Sequence, residues 1–298
     1  MCSLIVGGFP NLLALRDQIK YNLFENMYKN RTFGVQILSF HCTDYIESII
    51  NIFLPLVDKI AISVNEKSWM GNIENNGGVE KLITPYLSDK VILVKGKWES
   101  EAEQRNVCLD AMREMDYVFI VDDDELWTSE QIHKMKEFMV GHPGYTVFNT
   151  SWNTRFKNPY WRVEPREQYK PTIAIQQKSG GIQSYKGIRF GQNRLIDMSN
   201  KNAWACLVPD SILVVEHFSY VRSSDEAIKE KINTFSHANE IINGIDFWFS
   251  EIYLQTTLDS RFLHPTHPEA YISLTKENIH PEIESALKKY NSKLFEKE

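Results

Sequence analysis

The chain has 298 residues with a formal net charge of −6; 43% of its side chains are hydrophobic and 24% charged. This balance belongs to an ordinary globular protein and excludes a disordered or fibrous one, and the length suits one large α/β domain with an appended piece. The negative charge speaks against a protein whose main task is to hold a nucleic-acid backbone, so no nucleic acid is expected as a partner, whereas a small anionic ligand can be neutralised locally.

Residues 1–33 read as an N-terminal extension with a helix over Leu12–Tyr28. The run Leu4–Pro10 is too short to span a bilayer, lacks a basic leader and is broken by Gly7, Gly8 and Pro10, so no signal peptide or membrane span is expected. The four cysteines, Cys2, Cys42, Cys108 and Cys206, form no CxxC pair, which fits reduced thiols and a cytoplasmic protein.

From Val35 the pattern becomes βαβ: a strand at Val35–Phe40, a helix over Asp44–Leu56 and a strand at Lys59–Val64. After a loop at Asn72–Gly78, a helix is expected at Val79–Leu87, a third strand at Lys90–Val94 and a helix over Glu99–Met115. Tyr117–Val121 is a nearly continuous apolar run of strand length, the composition of a strand buried on both faces of a parallel sheet. The stretch from Ser151 to Tyr185 reads as aromatic and polar loops, followed by strands near Gly187–Met198 and Ile212–Tyr220 and helices around Asp225–Asn243 and Pro281–Phe295.

Asp122-Asp123-Asp124-Glu125 follows the apolar strand directly, at the strand end where ligands bind in open α/β sheets. Adjacent carboxylates repel one another, so such a cluster is costly unless a cation or hydrogen-bond donors compensate it. While the chain stays extended, Asp122 and Asp124 point the same way and can share a hard cation such as Mg²⁺ or Mn²⁺, which keeps water and phosphate oxygens in its shell. The other reading is a solvated acidic turn leading into a helix over Glu130–Val140 capped by Thr128 or Ser129.

The stretch from Trp98 to Asn106, with its Arg105-Asn106 pair, then the strand and the acidic cluster, resembles the family 2 glycosyltransferases and their relatives, in which an Arg-Asn helix leads into a strand ending in Asp-x-Asp-Glu. A second match is Asn193-Arg194-Leu195-Ile196, then Trp204, then Glu216-His217-Phe218-Ser219-Tyr220, with Lys231 one helix further on. The resemblance spans roughly Val35 to Glu240. It implies a GT-A, Rossmann-like fold: a mostly parallel central sheet with flanking helices, a transferase domain over 34–245 with a nucleotide-sugar half (34–127) and an acceptor half (128–245), and a C-terminal helical extension over 246–298. It also implies a metal-dependent, inverting hexosyltransferase that takes a nucleotide-diphosphate sugar, UDP-linked, to a hydroxyl of a glycan, lipid-linked or protein acceptor.

Carried over residue by residue, Asp122 would touch the ribose or the metal, Asp124 would bind the metal, His217 would be a further metal ligand, and Arg105 would lie near the donor. Asp123, and Glu66 after the second strand, complete the expected donor-binding set. Where relatives show Val-His-Glu, this chain has Val208-Pro209-Asp210, which leaves Asp210 either as a base one methylene shorter or as an ordinary turn residue. His217 has the alternative of a hydrogen-bonded core histidine, His264 and His267 that of a proline-bounded turn, and Trp152, Tyr160, Trp161, Tyr169 and Tyr185 that of a core rather than a sugar-stacking wall.

Two competing functions remain. A sugar-phosphate nucleotidyltransferase uses similar carboxylates but needs a glycine-rich loop after the first strand, and Ser39–Asp44 contains no glycine. A non-catalytic nucleotide- or carbohydrate-binding module would keep the fold without the base.

Overall fold

The computed structural model describes residues 28–71, 78–178, 186–192, 194–234 and 237–296. The helix expected over Leu12–Tyr28 lies outside these except for Tyr28, and the Asn72–Gly78 loop lies outside except for Gly78. No described helix is long and apolar enough to cross a membrane.

The βαβ opening is present: β1 (Phe33–Ser39), α1 (Ile46–Phe53), β2 (Lys59–Asn65), a short helix α2 (Val79–Ile83) and β3 (Val91–Gly96). Then come α3 (Glu101–Asp110), β4 (Tyr117–Asp122), a two-residue strand β5 (Glu125–Leu126) and α4 (Ser129–Gly141). β1 pairs in parallel with both β2 and β4, and β2 with β3. Every residue of β1 is buried, as the apolar run of a central strand requires.

Helices cover both faces. Ile46, Ile49, Ile50 and Phe53 of α1 share one core with Ile132, Met135 and Met139 of α4, whereas Cys108 and Leu109 of α3 belong to a core on the opposite face. The α3 helix stops short of the expected Met115 because the chain tightens into turns that tuck Met112 and Met115 beneath Gly34. A Cβ at Gly34 would stand 2.9 Å from Met112 Sδ, so glycine permits that approach.

The stretch expected as loops is largely strand: β6 (Val147–Asn149), β7 (Ser151–Phe156), β8 (Asn158–Glu164) and β9 (Thr172–Gln176). All six residues of β7 are buried although four are polar, because Asn153 and Arg155 bond Glu216 and Thr154 bonds Glu167. Polar side chains satisfied across strands erase the alternation by which a strand is recognised. A small hairpin, β10 (Phe190–Gln192) and β11 (Leu195–Ile196), precedes β12 (Ala205–Leu207) and β13 (Val214–Tyr220). The helix α5 (Asp225–Thr234), the strand β14 (Ser273–Lys276) and the helix α6 (Pro281–Tyr290) follow.

The large sheet has the order β12-β6-β9-β4-β1-β2-β3, with β9 antiparallel to both β4 and β6. A second sheet runs β14-β8-β7-β13-β5. The result is a mixed α/β fold with a mostly parallel central sheet flanked by helices. The C-terminal stretch is helical at α6 and is tied into the body: β14 pairs with β8, and Glu282 accepts hydrogen bonds from Ser129 at the start of α4.

Thr128 starts α4 with a capping box, its hydroxyl accepting from Gln131 N while the Gln131 side chain accepts from Thr128 N. Because Thr128 lies three residues after Glu125, this cap holds the chain where it leaves the acidic cluster. Thr128→Ala should lower unfolding free energy by about 1 kcal/mol in urea titrations; an unchanged midpoint would show that the cap contributes nothing.

Candidate active site

The order β3-β2-β1-β4 reverses direction at β1, and a crevice opens beyond the carboxyl ends of β1 and β4 at such a point. A cavity of about 280 Å³ lies there. Its wall includes Ser39 at the end of β1 and Asp44 beyond it, Asn65 and Trp69 at the end of β2, Asp122, Asp123 and Asp124 at the end of β4, and Lys231 of α5. Gln104 ties the two strand ends together, donating to Ser39 O and Ser63 O and accepting from Trp69 Nε1.

The distant His217 reaches the cluster through strand pairing. β13 runs antiparallel to β5 with His217 opposite Glu125, and Phe218 N donates to Asp124 O at 2.8 Å. His217 Nε2 stands 3.6 Å from Asp124 Oδ1.

Each acidic side chain has its own environment. Asp122 lies between two guanidinium groups, with Arg105 Nη2 donating to Oδ1 and Arg194 Nη1 to Oδ2 at 2.9 Å. Burial pushes its carboxyl up, but the two arginines outweigh this and hold it below the ordinary value. Glu125 is fully buried and accepts from Arg194 and from Trp152 Nε1; burial nevertheless raises it to about 7, with the charge of Asp122 acting in the same direction. Asp123 accepts from Ser39 Oγ at 2.5 Å and from Phe40 N, and burial together with the neighbouring Asp124 charge raises it to about 7.

Asp124 Oδ2 accepts from Arg222 Nη2 at 2.8 Å and from Lys231 Nζ at 2.5 Å. Burial opposes ionisation of this carboxyl, yet Lys231, His217 and Arg222 together hold it well below the usual carboxylate range. Burial also depresses His217 to about 4 against the pull of Asp124, so its imidazole is neutral at pH 7. Its Nδ1 lies 3.3 Å from Thr154 Oγ1, and Trp152 stacks on the ring at 4.2 Å.

Asp122, Asp123, Asp124 and His217 therefore line one cavity. Arg105 is completely buried and reaches it only through its partners Asp122 and Glu101, both of which line the cavity. Glu66 does not join the lining, although its neighbours Asn65 and Lys67 do. Asp210 also lies outside it, exposed in the turn after β12 and held by Ser151 Oγ at 3.0 Å and Arg166 Nη1 at 2.8 Å. The His264–His267 segment forms a turn in which Thr266 N and His267 N both point at His264 Nδ1. Trp152 packs on His217 and Tyr169 on Trp152, while Tyr160 packs on Phe295 away from the site.

Among the described residues no group of three or more His, Cys, Asp or Glu side chains is placed to hold one metal ion. Both Asp122 oxygens are engaged by arginines. Asp124 Oδ1 and His217 Nε2 remain: at 3.6 Å they are too far apart for a hydrogen bond, and two Lewis-basic atoms face one another. That pair fits a divalent cation whose remaining ligands are water and phosphate oxygens.

Sequence reasoning did not assign Arg194, Arg222 or Lys231 a role in the site. Arg194 and Lys231 fall within the downstream match, but nothing in Val221-Arg222-Ser223 signals that Arg222 is buried against Asp124.

No protein-family model matches the sequence, and no curated protein matches it. Solved structures to which it is similar include glucosyl-3-phosphoglycerate synthase from Mycobacterium tuberculosis in complex with Mn²⁺, UDP-glucose and phosphoglyceric acid, at 14% identity and a TM-score of 0.36, over 44% of this chain and 47% of that one. The same enzyme with Mg²⁺ and UDP matches at 16% identity and a TM-score of 0.33, over 44% of this chain and 47% of that one. These matches span about half the length of the solved chains.

Asp123 binds its proton more tightly in the folded chain than in the unfolded one. Its contribution is therefore complete below the unfolded value near 4 and is lost as pH rises through about 7. In metal-free protein, the stability of Asp123→Asn relative to the parent should rise by on the order of 1–2 kcal/mol between pH 5 and pH 8. Urea melts at the two pH values measure this, and an identical difference at both would contradict the raised value.

Proposed function

We propose that the protein is a metal-dependent glycosyltransferase of the GT-A type, moving a sugar from a nucleotide-diphosphate sugar, UDP-linked, to an acceptor hydroxyl with inversion. The observation that carries this reading is the corner formed by Asp124 Oδ1 and His217 Nε2 in a cavity at the sheet's switch point. The motif order read from the sequence supports it independently, because His217 and Lys231 lie about 100 residues beyond Asp124 and converge on it.

In this reading Asp124 and His217 would hold Mn²⁺ or Mg²⁺. When bound, the ion supplies positive charge to the donor diphosphate and to the leaving group. The chain's own groups act alongside it. Lys231 and Arg222 meet on Asp124 Oδ2, which fixes two cations at the cavity wall where a diphosphate can be neutralised without reorganisation. Asp123, held by Ser39 and partly protonated at neutral pH, can bond a ribose or base. Trp69 and Asn65 form the wall at the β2 end, where the nucleoside would lie.

The acceptor class, whether glycan, lipid-linked or protein, belongs to the loops around Trp152 and Tyr169. The position of Asp210 outside the cavity favours the second reading, a nucleotide-binding module without chemistry, over the nucleotidyltransferase.

Incubation with a panel of UDP-sugars and Mn²⁺ separates these. Release of UDP, abolished by EDTA, is expected; binding without release indicates the module, and formation of pyrophosphate from UTP and a sugar phosphate indicates the nucleotidyltransferase. Asp124→Ala and His217→Ala should each slow release by about 10²–10³-fold. Parental rates in both variants would remove the corner from the mechanism.

A further inference from the structure

Asp210 is exposed in its turn and paired with Arg166, which leaves the transferase reading without a proton acceptor; a different carboxylate, which like Asp210 is not among the residues lining the cavity, is joined to His217 through the Thr154 hydroxyl. Glu167 lies in the loop 165–171 between β8 and β9 and is half-buried. Its Oε1 accepts from Thr154 Oγ1 and from Tyr271 OH, each at 2.5 Å. Thr154 is paired in register with His217 across β7 and β13, and its hydroxyl touches both Glu167 and His217 Nδ1. One hydroxyl thus separates the Glu167 carboxyl from the imidazole that faces Asp124.

Most other acids near this corner are paired with a cation or hydrogen-bonded on both oxygens: Glu101 is bound by Arg105, Glu230 lies against His41, and Asp44 accepts from Ser223 N and Asn291 Nδ2. Asp122 and Glu125 are bound by Arg194, Asp124 by Arg222 and Lys231, Glu216 by Arg155, and Asp210 by Arg166. Asp123 lacks a cation partner but sits against Ser39 and Phe40, on the β1 side of the cavity. Among the described residues Glu167 has no ion-pair partner within 4.0 Å, and none of them donates a hydrogen bond to its Oε2, while Oε1 is anchored twice. One fixed oxygen and one open oxygen is the arrangement a proton acceptor needs: the first sets orientation and the second takes the proton.

Resting on the transferase reading above, we propose that Glu167 is the general base of the reaction. Its Oε2 takes the proton of the acceptor hydroxyl as the acceptor oxygen bonds to the anomeric carbon of the sugar. The bond from that carbon to the donor's phosphate oxygen breaks, its electron pair leaves with the nucleoside diphosphate, and the proton ends on Glu167. With water as acceptor the same step yields free sugar and UDP. Burial raises the Glu167 carboxyl above its ordinary value against the lowering effect of the Thr154 and Tyr271 hydroxyls, which makes it a stronger base than an exposed glutamate. Trp152 on His217, and Tyr169, 40% exposed, on Trp152, place an aromatic surface on the same side for an acceptor to rest on.

The test is Glu167→Gln, which keeps the shape and can still accept from Thr154 and Tyr271, compared with the parent and with Asp210→Asn. UDP release from the UDP-sugar panel in Mn²⁺, with water as acceptor, gives the rate, and UDP binding by calorimetry reports the integrity of the donor site. We expect Glu167→Gln to bind UDP within twofold of the parent while kcat falls by about 10²–10⁴-fold, with Asp210→Asn near parental. Turnover of Glu167→Gln within fivefold of the parent overturns the assignment, as does loss of its UDP binding, which would make Glu167 a support of the donor site instead. A parent that binds UDP and releases none from any sugar of the panel sinks the transferase reading itself, a result distinct from either.

Discussion

Four carboxylates in consecutive positions at the end of a buried strand repel one another and lose hydration, and the rest of the molecule is arranged around that cost. Four cations answer it, each from a different part of the chain: Arg105 from α3, Arg194 beside β11, Arg222 after β13 and Lys231 from α5. None of these is adjacent in sequence to the acids. The folded chain must bring α3, the β10–β11 hairpin and the β13–α5 segment to one place before the cluster becomes tolerable, so charge compensation and assembly of the two sheets are the same event. Removing one member of such a buried pair leaves an uncompensated charge, a loss of about 3–5 kcal/mol.

The compensation is uneven, and that unevenness divides the roles. Asp122 and Glu125 share Arg194 and belong to the frame; each Asp122 oxygen already accepts from an arginine. Asp124 keeps one oxygen turned toward a neutral imidazole. Asp123 pairs with no cation among the described residues and is raised to about 7 by burial and the neighbouring Asp124 charge. The extended chain that would set Asp122 and Asp124 on one side ends at Asp122, because Asp123 and Asp124 form a turn before β5; it is the cationic partners that separate the two into a structural and a ligand-facing residue.

Much of the large sheet was legible in the sequence because its central strands are buried on both faces and appear as unbroken apolar runs, Tyr117–Val121 most clearly. The second sheet was not, because β7 buries Asn153, Thr154 and Arg155 as well as Trp152 and Phe156, and polar residues matched across strands carry no periodic signal. For the same reason the acidic cluster could be found and its cations could not. Four adjacent acids are visible locally, whereas Arg222 lies 98 residues from Asp124 and becomes meaningful only through the pairing of β13 with β5. Glu167 was hidden twice over, in a polar loop and anchored by hydroxyl groups, which leave no charge pattern to read.

The central claim is that the corner between Asp124 and His217 holds the divalent ion that meets the donor's phosphates. A crystal structure of the protein grown with Mn²⁺ and UDP, with the metal located by its anomalous scattering, tests this most directly. The account predicts a peak within coordination distance of Asp124 Oδ1 and His217 Nε2, with diphosphate oxygens completing its shell. A peak elsewhere, or UDP bound in the cavity with its diphosphate turned away from that corner, would contradict it.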